Sequence, residues 1–302
     1  MTSITTTSLN DFISTLSAKM KEEGRFGTAR NYDRARASFA RFIGTGRARR
    51  MPLDEKLICE YSDYLDAMGI VRNTKSFYMR ILRSAYNKAV SEGLGTQTKP
   101  FGKVYTGVDT TRKRALDEGS IRRILKMDLH ADKDAELARD LFAFSYFTRG
   151  MAFVDMAFLK KKDVSGGAVN YIRRKTGQRM SVKSEPCIQK IVSKYSPSPG
   201  NYLFPLLKSD NPQEAYSEYE RTLSWYNREL RSLAARAGIH TGLTSYVARH
   251  SWATSARNHR ISLSVISAGM GHTSEKTTRI YLASIENSEI DKANRKLLSV
   301  FK

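Results

Sequence analysis

Three residues near the end of the chain have types that together could transfer a phosphoryl group. Arg249 offers a fixed positive fork of donors, His272 a ring that takes or gives a proton near neutral pH, and Tyr281 a hydroxyl that can act as nucleophile. A hydroxyl attacking a phosphodiester needs this set. Cationic donors meet the charge that develops on the non-bridging oxygens, and a proton shuttle activates the hydroxyl. The three stand in Tyr246-Val-Ala-Arg249-His250-Ser-Trp-Ala and in Gly269-Met-Gly271-His272-Thr-Ser-Glu-Lys-Thr277-Thr-Arg-Ile-Tyr281. Composition alone does not show that they converge.

The sequence lacks a GxxxxGK[ST] phosphate loop and the HExxH, GxSxG and DxDxDG motifs, and its acidic residues do not cluster as a two-metal nuclease requires. Chemistry on nucleic acid without ATP, cofactor or metal is the expectation. Charge points to the partner. The 302 residues hold 51 Lys plus Arg against 30 Asp plus Glu, a formal net charge of +21. Self-repulsion of that size destabilises the compact state, a polyanionic partner gives the charge a purpose, and nucleic acid is the leading candidate, against a generically basic protein. The excess is spread out: residues 1–108 carry 18 basic and 10 acidic side chains (+8), and residues 109–302 carry 33 and 20 (+13). Two domains closing around one duplex would look like this, with affinity falling steeply as salt rises. No apolar run is long enough to span a bilayer, and the Thr/Ser-rich start has no apolar core of a signal peptide. Cys59 and Cys187 cannot by themselves form a disulfide scaffold or a four-ligand zinc site. A cytoplasmic protein without a membrane partner is expected.

These residues must be held by a scaffold that reads as mainly α with a small β-hairpin or sheet. The first hundred residues show four amphipathic stripes. They run through Leu9, Phe12, Ile13, Leu16 and Met20 behind a Ser8/Asp11 capping box; through Tyr32 to Ile43, ending at Gly44; through Leu57 to Leu65 after Pro52; and through Phe77, Ile81, Ala85 and Ala89 to Gly93. Four such helices with short connections make a small bundle whose aromatic residues form its core. The polar face of the fourth helix carries Arg72, Lys75, Arg80 and Arg83, which suit a major groove and its phosphates, although a solvated face would carry the same residues. From Gly93 to Arg114 the chain loses periodicity and reads as a linker, dividing it into domains 1–108 and 109–302. Beyond it, helices near Ser120 and from Asp134 to Tyr146 precede VNYIRRKTGQRMSV, residues 169–182, which alternates about Thr176-Gly177 as a hairpin does. Helical text then resumes to the end.

The C-terminal blocks resemble the signature of the tyrosine recombinase (phage integrase) family. Its pattern is Arg-His-Ser/Thr-x-Ala, then Leu/Met-Gly-His, then Thr-x-x-x-Tyr. Here the blocks are Arg249-His250-Ser251-Trp252-Ala253, Met270-Gly271-His272 and Thr277-Thr278-Arg279-Ile280-Tyr281, in the same order and with the same gaps. The resemblance implies a helical core-binding domain and a mixed catalytic domain, with Arg249, His272 and the nucleophile Tyr281 as catalytic residues. It further implies a catalytic lysine at a hairpin turn, which Lys175 in Arg173-Arg174-Lys175-Thr176-Gly177 matches, although a surface lysine would also fit that turn. Arg173 and Arg174 become DNA-contact candidates.

Two positions depart from the family pattern. The first catalytic arginine usually stands three residues before an acid, but three before Asp155 is Ala152, and the nearby arginine is Arg149. Arg149, displaced by about one helical turn, is assigned that role, with Arg173 or Arg174 as substitutes. Three residues before Arg249, where the family has His or Lys, stands Tyr246, a donor but a poor proton acceptor, which shifts base duty to His272. His250 is expected to be buried and structural.

The resemblance implies a site-specific recombinase that cleaves and rejoins double-stranded DNA at paired sites through a 3′-phosphotyrosine. It would act as a homotetramer, with DNA-bending accessory proteins as further partners. The C-terminal segment from Ala283 could dock on a neighbouring protomer or be a plain helix. Room for two domains but no extra arm-binding domain favours an invertase or resolvase over a phage-type integrase. Two other classes stay open: a catalytically impaired, architectural DNA-binding relative, and a strand transferase of the type IB topoisomerase kind.

Overall fold

The computed structural model describes residues 3–44, 51–109, 114–272, 274–282 and 298–299, without the side chains of 276 and 280–282. The chain forms two compact units, Met1–Thr111 and Arg112–Lys302.

In the first unit the four stripes become α1 (Thr6–Glu22), α2 (Phe26–Gly44), α3 (Glu55–Ala67) and α4 (Arg72–Ser91). Leu9, Ile13, Phe39, Ile58, Tyr61, Met79 and Leu82 are fully buried between them, as the helical spacing requires. The α1 cap lies one turn earlier than expected: Thr5 is the N-cap, and the Ser8 hydroxyl closes the box as its fourth residue. The stretch from Gly93, read as linker, is packed on the bundle through Asp109. Phe101 is buried in the core, the Tyr86 hydroxyl donates to the Thr96 carbonyl at 3.1 Å, Ser76 donates to Gly107, and Asn73 and Asp109 exchange two hydrogen bonds. An aperiodic segment held by side-chain bonds leaves no hydrophobic pattern in the sequence.

The second unit is built on α6 (Lys133–Phe147), which follows α5 (Glu118–Leu125). Ala138, Leu141, Phe142 and Phe144 are fully or nearly fully buried, so α6 is the unit's central rod rather than a surface helix. A short α7 (Phe153–Ala157) leads to three antiparallel strands, β1 (Val164–Ser165), β2 (Ala168–Ile172) and β3 (Arg179–Lys183), in the order β1-β2-β3. The expected hairpin is therefore two-thirds of a small sheet, with Val169 opposite Val182 and Tyr171 opposite Met180. Then come α8 (Pro186–Tyr195), α9 (Pro212–Arg236), α10 (Val247–Asn258), α11 (Leu263–Gly269) and α12 (Glu275–Leu282). Helix α6 packs against α8, α9 and α10. Among the described residues no helix is long and apolar enough to cross a membrane. The segment from Ala283, considered as a docking element, lies almost wholly outside the described residues.

Candidate active site

Arg249 sits in the first turn of α10 and is 3% exposed. A buried guanidinium must be hydrogen-bonded. Its Nη1 donates to the Gly150 carbonyl at 2.8 Å and its Nη2 to the Met270 carbonyl at 2.6 Å. Both acceptors lie at helix ends, and the two ends are built alike. After α6, Arg149 N–H donates to the Tyr146 carbonyl at 3.2 Å and Gly150 N–H to the Ser145 carbonyl at 2.7 Å. After α11, Gly271 N–H donates to Ala268 at 3.0 Å and His272 N–H to Ser267 at 3.0 Å. Each is the paired C-terminal cap that needs a left-handed residue just past the helix. At α11 that residue is Gly271, with φ 62°; at α6 it is Arg149, also with φ 62°.

The caps deliver the side chains. Gly271 turns the chain so that His272 leaves α11 toward α10, with its Nε2 3.1 Å from Nη2 of Arg249. On the other side of the ring, Nδ1 lies 2.7 Å from Oγ1 of Thr278 on α12. An arginine only donates, so Nε2 is the acceptor, the ring proton sits on Nδ1, and Thr278 accepts it. Burial, then the positive charges of Arg249, Arg173 and Lys175, lowers the His272 pKa to about 4, so the ring is neutral at pH 7. Arg149 stands in the same turn as Gly150. A β-carbon on Gly150 would lie 2.7 Å from both Cα and Cγ of Arg249, and one on Gly269 would lie 3.6 Å from Cδ of Arg149. Arg149 is thus beside Arg249, but it reaches that place through a left-handed turn, not through the shared helix face that its sequence offset implied.

The β2–β3 loop closes on the same region. Arg173 N–H donates to Gln178 at 2.8 Å, Gly177 N–H donates back to Arg173 at 2.8 Å, and Lys175 stands exposed between them. Arg173 corrects the expectation of a DNA contact: it is 5% exposed and its guanidinium donates to the Gly271 carbonyl, which locks the loop to the α11 cap. Arg174 remains exposed, with its guanidinium 3.9 Å above the Phe158 ring, while its backbone N–H donates to Asp155 at 2.9 Å. Burial raises the Asp155 carboxyl above the usual range, against the opposing pull of that N–H and of Arg173, Arg174 and Arg249. Beside it, burial pushes the Tyr171 phenol up to about 12. Ser251, which follows the Arg-His pair, is fully buried; its hydroxyl donates to Val247 at 2.8 Å and accepts the Leu116 N–H at 2.9 Å. Tyr246 caps α10 at 41% exposure. His250, expected to be buried, is half-buried, with its ring 5.4 Å from that of Tyr246. Tyr281 lies in the last turn of α12, and its side chain is outside the described residues.

In the first unit, the expected DNA face of α4 splits. Lys75 leaves the set: its side chain is 15% exposed and its Nζ pairs with Asp66 at 2.7 Å. Arg72 stacks 3.9 Å over the Tyr105 ring and lies 3.6 Å from Asp109. Arg83 donates to Thr106 at 2.9 Å, and Arg80 is exposed.

Gly150, Asp155 and Thr278 are structural members that the motif reading did not assign to the site, and Arg173, which it assigned to DNA or to the first arginine's role, is a structural member as well. Arg173 had a signal: Val169, Tyr171 and Arg173 alternate on the inward face of the strand, while Ile172 and Arg174 face out.

A family model described as the phage integrase SAM-like domain matches residues 8–104, and one described as the phage integrase family matches residues 150–288. Tyrosine recombinase XerD of Shewanella oneidensis is 27% identical over 171 residues, 55% of this chain; the match spans 56% of that relative, little more than half its length. The fold is similar to that of XerH site-specific recombinase bound to a palindromic difH substrate after cleavage, with a TM-score of 0.67 and 17% identity over 92% of this chain and 84% of that one. It is also similar to a lambda integrase tetramer bound to a Holliday junction, with a TM-score of 0.66 and 14% identity over 92% of this chain and 77% of that one.

Proposed function

This chain belongs to the tyrosine recombinase (phage integrase) family, and on that premise we propose that it is a site-specific recombinase that cleaves and rejoins DNA through a 3′-phosphotyrosine. The observation that carries the reading is the contact between Arg249 and the neutral His272, made where two helix ends and the Lys175 loop meet. The Tyr281 hydroxyl attacks the scissile phosphorus, a P–O bond to the tyrosine forms, and the bond to the 5′-oxygen breaks. As Nη2 of Arg249 turns from Nε2 of His272 to the phosphate, the freed Nε2 lone pair takes the phenol proton, and Lys175 gives a proton to the departing 5′-oxygen. Arg249 and Arg149 meet the charge on the non-bridging oxygens; each such preorganised donor is worth about 10²–10³ in rate. A 5′-hydroxyl from a second strand then reverses the step. One phosphoester is exchanged for another throughout.

Arg72, Arg80, Arg83 and Arg174 are the exposed groups of this reading that would grip phosphates, with Tyr246 as a further donor at the head of α10. The partners are duplex DNA with paired sites, three further copies of the chain and DNA-bending accessory proteins, with the reaction in the cytoplasm. The test is incubation with nicked duplexes that lose a short strand on cleavage, followed by denaturing electrophoresis. The wild-type protein forms a covalent protein–DNA adduct and Tyr281→Phe binds DNA but forms none. A wild-type protein that forms no adduct on any flanking-site duplex overturns the enzymatic reading in favour of an architectural one.

A further inference from the structure

Resting on the recombinase reading above, we propose that Thr278 is a positioning residue of the active site: its hydroxyl accepts the Nδ1 hydrogen bond of His272, holds the Nε2 lone pair toward Arg249, and ties the base to the helix that bears the nucleophile.

Two adjacent threonines precede the tyrosine, and the structure separates their roles. Thr277 is exposed, with its hydroxyl 3.3 Å from that of Ser274. Thr278 is fully buried, and its hydroxyl lies 2.7 Å from the imidazole. A buried hydroxyl needs a partner, and a neutral imidazole needs one nitrogen fixed before the other can act. Thr278 meets both needs with one bond. Its place on α12 adds a geometric consequence: Thr278 and Tyr281 are three residues apart, within one helical turn, so the His272 bond anchors the turn that carries the nucleophile.

A hydroxyl also suits the charges that face the ring. Arg249 approaches from α10, and Arg173 and Lys175 act from the β2–β3 loop. All three are cations and disfavour a second proton on the ring. A carboxylate at position 278 would favour the imidazolium and leave His272 with no lone pair to accept the phenol proton. A threonine fixes the tautomer without adding negative charge.

The experiment compares wild type, Thr278→Val, which keeps the shape but removes the acceptor, and Thr278→Ser, which keeps the hydroxyl. Nitrogen NMR of the histidine side chains in the DNA-free full-length protein reads the tautomer, and single-turnover adduct formation on the nicked duplex reads the rate. The expected result is an Nδ1–H tautomer at His272 in wild type and in Thr278→Ser, and a mixture of tautomers in Thr278→Val. Adduct formation slows roughly tenfold or more in Thr278→Val and stays within about threefold of wild type in Thr278→Ser, as the misplacement and rescue of a general base require. An Nε2–H tautomer in wild type overturns the proposal. So does Thr278→Val cleaving at the wild-type rate, or Thr278→Ser failing to restore it. If Thr278→Val does not fold, the wild-type tautomer and the serine variant decide. A wild-type protein that forms no adduct overturns the recombinase reading, and the tautomer, measured without DNA, then judges Thr278 alone.

Discussion

The ends of α6 and α11 make the same cap with the same left-handed turn, yet one places arginine where the other places glycine. Gly271 adopts that backbone readily, and a side chain there would press on Arg173 and Met180, each 2.8 Å from where its β-carbon would be. Arg149 adopts it against the ordinary preference of a side-chain-bearing residue, at a cost of about 1–2 kcal/mol. The difference separates two demands on a helix end. The α11 end has only to turn the chain and aim His272, so the residue best suited to turning serves. The α6 end has to turn the chain and, under the proposed function, also to carry a guanidinium to the phosphate. The end of α10 makes the same cap with Arg260, exposed and away from the site, at a φ of 60°, so the left-handed arginine alone does not single out the α6 end; its place next to the Gly150 carbonyl that holds Arg249 does.

The largest expected effect comes from breaking the α6 cap outright. Gly150→Ala places a methyl 2.7 Å from the Arg249 backbone at a φ of 77°. A loss on the order of 3 kcal/mol is expected, from strain plus overpacking. Denaturant unfolding should register it, together with disappearance of the covalent adduct. A variant as stable and as active as wild type would remove this turn from the active site.

Arg149→Gly makes the two caps alike. Adduct formation should fall by about 10²–10³, while stability is kept or rises by up to ~1 kcal/mol. A fall in stability together with activity would mean that Arg149 is a packing residue, and unchanged cleavage would pass its role to another cation.

The smallest effect is a pH profile that probes the α11 side. Under the proposed mechanism the active form of His272 is the neutral one, so activity is full above its pKa and is lost as pH falls through it. With the pKa lowered from 6.5 to about 4, kcat/KM for adduct formation should stay flat from about pH 8 to pH 5.5. A decline centred near 6.5 would show a ring with ordinary basicity, in which burial and the three cations do not govern its charge.

The four-helix bundle and the three motif blocks were legible because their information is local: helical spacing, a glycine at the close of the second and fourth stripes, and short runs with fixed gaps. The Met-Gly-His block has a plain physical content, a helix cap followed by the residue that the cap aims. What could not be read was information carried by partners distant in sequence. Nothing near Lys75 tells that Asp66, on the preceding helix, holds it. Arg173 and Arg174 are identical in type, and only strand alternation, which continues one residue past β2, sends Arg173 inward to Gly271. The offset of Arg149 was visible, but its left-handed turn was not, since an arginine gives no sign of a backbone that normally calls for glycine. Thr278 escaped notice for another reason, since its partner His272 is only six residues away. Its neighbour Thr277 has the same side chain, and only the docking of α12 on His272 distinguishes them.

The Arg72 ion pair of α4 has a kinetic meaning under the proposed function. With Arg72 lying between Tyr105 and Asp109, the protein competes with DNA for its own cation. A passing duplex must displace an internal partner before it gains a phosphate contact. That competition costs both modes of binding the same contact, but such contacts are nearly the whole of the sequence-blind hold on arbitrary DNA and only part of the hold on a true site, which adds contacts to bases. A weaker arbitrary hold shortens each futile stop along the duplex. The acidic partner of this basic face therefore favours speed of search over strength of grip.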